Sequence, residues 1–89
     1  MWMEFGKLLN KYRRKANLSQ NELVSLSQNK DYPVDSKGTI SKWEHGTIRP
    51  SIGHVETLEK ILGVPDNLLQ VAAGYLTSSF GELTQTAKQ

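Results

Sequence analysis

Apolar residues in this chain recur at three- and four-residue steps in one short run after another, and the runs are separated by caps, glycines and prolines. Phe5, Leu8, Leu9, Tyr12 and Ala16, between Glu4 and Ala16, share one side of an amphipathic helix. A second helix opens at Leu18-Ser19-Gln20-Asn21-Glu22, where Ser19 and Glu22 make a capping box and Leu23, Val24 and Ser27 face inward. A third occupies residues 36–45. A fourth carries Ile52, Val55, Leu58, Ile61 and Leu62 between Ser51 and Gly63, and a fifth restarts at Pro65-Asp66 with Leu68, Leu69, Ala72 and Tyr75 inward and Gly74 near its end. Five short helices predict an all-α fold.

Eighty-nine residues suffice for one modest core and not for two. The helical part is expected over residues 4–76, with 77–89 a polar tail whose large apolar residues are Phe80 and Leu83. With 37% hydrophobic and 22% charged residues and a mean hydropathy of -0.50, the composition is that of a soluble globular domain. No apolar run approaches the ~20 residues that span a bilayer, so no membrane role is expected. Met1-Trp2-Met3-Glu4 begins no signal peptide. The absence of cysteine excludes disulfides and thiolate metal sites and fits a reducing compartment, so the expected location is cytoplasmic.

Charge is distributed unevenly. Residues 1–50 hold nine Lys/Arg and five Asp/Glu, whereas 51–89 hold two and four, together the 11 and 9 of the whole chain. The basic half contains the stretch Ser36 to Gly46, SKGTISKWEHG. Ser36 is a good N-cap, Ile40 and Trp43 fall three apart on an inward stripe, and Lys37, Gly38, Ser41 and Lys42 point outward. A short helix with two apolar anchors and a basic, small-residue outer face suits the major groove, which admits one α-helix. Double-stranded DNA is therefore the expected partner.

Other features have a plainer reading beside the functional one. Lys7, Lys11, Arg14 and Lys15 lie off the apolar stripe of the first helix, as a solvated face suited to a helix C-terminus or as phosphate contacts. The start of the second helix has unpaired N–H groups that can seat a phosphate, with Gln20 adding a side-chain amide, while Ser19 caps it in either case. Residues 28–35, QNKDYPVD, have no helical period and contain Pro33, so they form a connection. There Tyr32 is read as packing back over the core, and Lys30 as solvated.

The order of these pieces resembles the helix-turn-helix domains of lambda repressor-like, Xre-type regulators. The resemblance runs from about Phe5 to Tyr75. It is carried by Leu9 to Arg13, Leu18-Ser19-Gln20 with Leu23-Val24, Thr39 to Gly46, Arg49-Pro50-Ser51 and Leu62-Gly63-Val64. It implies a compact five-helix domain, a helix-turn-helix formed by helices two and three, and a sequence-specific transcription regulator that binds inverted half-sites as a two-fold dimer.

The same resemblance assigns roles. Gln20 matches a glutamine that touches backbone phosphate. Lys37, Gly38, Ser41 and Lys42 match positions facing base edges, Thr39 lies nearer the phosphates, and Thr47 and Arg49 match the loop after the reading helix. Arg13 and Glu44 match a structural ion pair between helices one and three. Three features depart from the pattern. The connection between Ser27 and Ser36 is longer than usual and resembles the lengthened turn of POU-specific domains. Gly38 offers no side chain for readout, and either admits the backbone closely to the groove or relaxes the entry from the long turn. Glu59 stands where a small alanine is common, its carboxylate partnered on helix one or its helix slightly rotated.

Enzymatic activity is not expected. His45 and His54 lie on different helices, Glu56 and Glu59 have no partner in a pocket-forming sequence, and no phosphate-cradling glycine loop occurs, so no cofactor or metal is implied. His45 is read as a capping cation or phosphate contact at a helix C-terminus. The competing reading is a protein-interaction module, such as an antitoxin, that uses the same fold and docks a partner through Trp2 or the tail residues Phe80 and Leu83.

Overall fold

A computed structural model describes residues 2–76. Five α-helices, α1 (Met3–Lys15), α2 (Gln20–Ser27), α3 (Lys37–Glu44), α4 (Ile52–Leu62) and α5 (Leu68–Ala72), pack around one core, and no strand occurs among the described residues. The expected tail, 77–89, lies outside them. The core consists of Phe5, Leu9, Leu23, Val34, Ile40, Trp43, Val55, Leu58, Leu69 and Ala73. α1 packs on α3 and α5, α2 on α3 and α4, and α4 on α5, so every helix closes one side of a single apolar interior.

Local chemistry sets most boundaries. Asn17 takes a left-handed conformation (φ 61°) after α1, and the N–H groups of Asn17 and Leu18 return to the carbonyls of Arg14 and Arg13. That arrangement satisfies carbonyls that would otherwise be orphaned. α2 starts on a complete capping box: Glu22 N–H donates to Ser19 Oγ (3.0 Å), and Ser19 N–H to Glu22 Oε1 (2.7 Å). After α3, Gly46 adopts φ 73°, which lets Thr47 N–H close on the Lys42 carbonyl at 2.9 Å.

Several expectations are corrected. Ser36 stands at the N-cap of α3, but its side chain accepts no helix N–H. Its φ of -162° differs from the -79° and -68° of Ser19 and Ser51, whose hydroxyls do accept one. The fifth helix begins at Leu68 and not at Pro65, because Asp66 and Asn67 are both left-handed (φ 57° and 55°) and confine Pro65–Asn67 to a single 3₁₀ turn. Ala16 and Ile52, assigned to apolar stripes, are exposed at helix ends. Glu59 finds its partners on α5. Its Oε2 accepts the N–H groups of Leu69 and Gln70 (3.0 and 3.1 Å) and its Oε1 the Gln70 side-chain amide (2.6 Å). A carboxylate from α4 thus caps a helix whose own N-cap residue, the left-handed Asn67, makes no side-chain cap.

Candidate nucleic-acid interface

α3 is held from beneath. Ile40 and Trp43 are buried, and on the opposite side Lys37, Gly38, Ser41 and Lys42 form one strip, with Lys37, Gly38 and Lys42 exposed and Ser41 and Thr39 half-buried. His45 continues the strip at the helix end, where its Nδ1 donates to the Ser41 carbonyl at 2.7 Å. A Cβ placed on Gly38 would meet only Ser36 Oγ, at 3.5 Å, so nothing inside the domain demands a glycine there.

The one carboxylate of α3 is turned away from this strip. Glu44 is 6% exposed in its side chain, and Arg13, 11% exposed, pairs with it at 2.5 Å through Nε. Arg13 Nη2 (3.0 Å), Asn10 Nδ2 (2.9 Å) and Gln20 Nε2 (3.2 Å) all donate to Glu44 Oε1, and Arg13 Nη1 donates to the Leu18 carbonyl (2.8 Å). Burial alone would push the Glu44 carboxyl up. Hydrogen bonds from Arg13, Asn10 and Gln20, with the Arg13 charge, outweigh it and hold the group below its ordinary value. The Arg13 guanidinium is pushed up, chiefly by its hydrogen bond to Glu44. This node joins α1, α2 and α3, and leaves α3 with charges of one sign facing out.

The remaining site residues divide. Thr47 is exposed on the loop just past α3. Gln20 sits at the start of α2, but its amide nitrogen is committed to Glu44. Arg49 is exposed as a residue but tied down: its guanidinium lies 3.9 Å from the Tyr75 ring centroid and 5.0 Å from that of Trp2, and its Nε donates to the Ala73 carbonyl at 2.8 Å. Tyr75 in turn donates its hydroxyl to the Pro50 carbonyl at 2.8 Å. Trp2 is thereby packed on the loop after α3, while Phe80 and Leu83 lie outside the described residues. No sequence signal announced this clasp, since it draws on three segments far apart in the chain.

Exposed cations also line α1. Lys7, Lys11, Arg14 and Lys15 all face solvent, with the Lys11 and Lys15 ammonium groups each 5.8 Å from the Tyr12 ring centroid. Among the described residues no cluster of His, Asp and Glu is placed to hold a metal ion, and no helix is long and apolar enough to cross a membrane.

Two helices joined in this order, the second seated on apolar anchors with a basic outer strip, define the class of helix-turn-helix DNA-binding domains. The family described as "Helix-turn-helix domain" matches residues 4–72, most of the chain, and the protein belongs to that family. Comparison with curated proteins and with solved structures gave no match.

Proposed function

We propose that this domain is a sequence-reading regulator of transcription of the Xre, lambda repressor-like type, which lays α3 in the major groove of double-stranded DNA. The observation that carries this reading is the division of α3: Ile40 and Trp43 buried, Glu44 neutralised inside by Arg13, and Lys37 and Lys42 left outside with only small side chains between them. Lys37 and Lys42 donate to guanine O6 and N7, each such contact contributing about 1–3 kcal/mol of discrimination. Ser41 and Gly38 let the helix approach the base edges, and Thr39 and Thr47 reach flanking phosphates. Gln20 and Arg49 support the interface from behind, Gln20 through Glu44 and Arg49 by holding the loop after α3. The protein acts in the cytoplasm as a two-fold dimer on inverted half-sites about one helical turn apart.

The test is selection from a randomised duplex pool at two salt concentrations, with Lys37→Ala/Lys42→Ala alongside. Enrichment of an inverted repeat that the double variant does not recover is the expected result. With roughly three to five phosphates neutralised per domain, log K should fall with log salt at a slope of about -3 to -4.5. Binding that salt erases, with no sequence enriched, would overturn this reading in favour of a protein-interaction module.

A further inference from the structure

The connection between α2 and α3 is not a free loop. At its base the buried Ser27 hydroxyl donates to the Val24 carbonyl (2.7 Å) and accepts the Val34 N–H (2.9 Å), while the Gln28 amide donates to the carbonyls of Val24 and Val34, both at 2.9 Å. Val34 itself is 2% exposed and belongs to the core. At its crest, Tyr32 lies flat over Gly53 of α4, where a Cβ would come within 2.5 Å of the ring. The glycine in the first turn of α4 is the seat for that ring.

His54 fastens the connection to α4 and touches α3. Its Nε2 lies 3.2 Å from the Pro33 carbonyl, which only accepts, so Nε2 carries a proton. In the neutral ring Nδ1 then accepts the Ser51 hydroxyl, at 2.7 Å. The imidazole meets Tyr32 edge-on (centroids 5.7 Å apart) and packs against Trp43 at 5.4 Å. A continuous line of contact therefore runs from the connection through α4 to the buried anchor of α3. The same helix lacks a side-chain cap at Ser36, so its first turn takes its position from what precedes it.

We propose that Tyr32 and His54 are positioning residues for duplex reading: they hold residues 28–35 as a strap that sets where α3 begins and how it is pitched toward the groove. This rests on the proposed reading role of α3 and adds residues outside that helix which govern its discrimination. Tyr32 is half exposed and outside the core, so its removal takes little from the apolar interior. Its effect should appear in discrimination more than in stability.

The experiment compares Tyr32→Ala, His54→Ala and Tyr32→Phe with wild type. Affinity is measured for the duplex selected by wild type and for a random duplex, together with urea unfolding and amide hydrogen exchange across Lys37–Ser41. Tyr32→Ala and His54→Ala should lower affinity for the selected duplex by about tenfold, the size of one well-placed base contact, and for random duplex by less than about twofold. Exchange at the start of α3 should quicken in both. Tyr32→Phe, which keeps the ring on Gly53, should behave as wild type in every measurement. Unchanged discrimination and unchanged exchange in a folded Tyr32→Ala would overturn the inference, as would a fall in both affinities that merely follows lost stability. If wild type itself selects no sequence, the reading role of α3 fails and the strap's role in discrimination fails with it. A wild type that selects, beside variants that select equally well, overturns the strap alone.

Discussion

Gly6 of α1 lies directly against the backbone carbonyl of Glu44, the last residue of α3, with no room between them for a methyl group. The contact is backbone to backbone, so it has no side chain that can swing aside. Gly6→Ala would gain up to ~1 kcal/mol of helix propensity, but forcing α1 off α3 costs about 1–3 kcal/mol by overpacking. The expected net result is a lower urea midpoint with an unchanged denaturant slope. A more stable variant would show that the two helices are free to separate.

The Arg13–Glu44 node predicts a specific acid response. Because the folded carboxyl titrates below its ordinary value of 4.5, its contribution is fully present above that value and is lost as pH falls through the lower folded one. Urea unfolding across pH should therefore show wild-type stability falling below about 4.5. Glu44→Gln leaves Arg13 without its charge partner, and should lose about 3 kcal/mol at neutral pH and show a shallower acid decline. Parallel profiles for the two proteins would exclude Glu44 as the source.

Gly38 separates stability from binding. Its surroundings accept a methyl group, so Gly38→Ala should stabilise the fold by up to ~1 kcal/mol through helix propensity. The same methyl group stands on the strip proposed to face the groove and should weaken binding to the selected duplex. Opposite signs in unfolding and binding titrations are the expected outcome. A gain in both would assign Gly38 to the entry from the long connection alone.

Glu59→Ala strips α5 of its cap. Losing the acceptor for Leu69 and Gln70 should cost about 0.5–2 kcal/mol, the range for a removed helix cap. Amide exchange at those two residues should quicken, while duplex affinity of the folded fraction stays as in wild type. Exchange that does not change at Leu69 and Gln70 would count against the cap.

The legible parts of this fold were those written in short-range chemistry. Helical spacing and the Ser19–Glu22 box placed α1 and α2 within a residue or so, and the 36–45 reading encloses the observed α3 with its two caps. Val34 escaped because it sits in an aperiodic stretch. It is buried only once Ser27 and Gln28 bond across the connection, and such tertiary bonds leave no periodic trace. Glu59 was singled out, but its partners were expected on helix one; the α5 groups it bonds come free only after Asp66 and Asn67 turn left-handed and delay that helix. Gly6 was the one missed contact with a readable signal: a glycine inside a strong amphipathic helix costs stability, and close approach of another backbone is a physical reason to tolerate it.

The clasp around Arg49 has a practical consequence for handling the molecule. Trp2 and Tyr75 bracket the same guanidinium, so both ends of the described chain leave the domain beside the loop that follows α3. A reporter carried on the exposed residues Met3 or Leu76 would sit beside that loop. If Thr47 on that loop reaches phosphate as proposed, a dye at either position would sense an arriving duplex through its own surroundings, and a bulky group there would keep the duplex away.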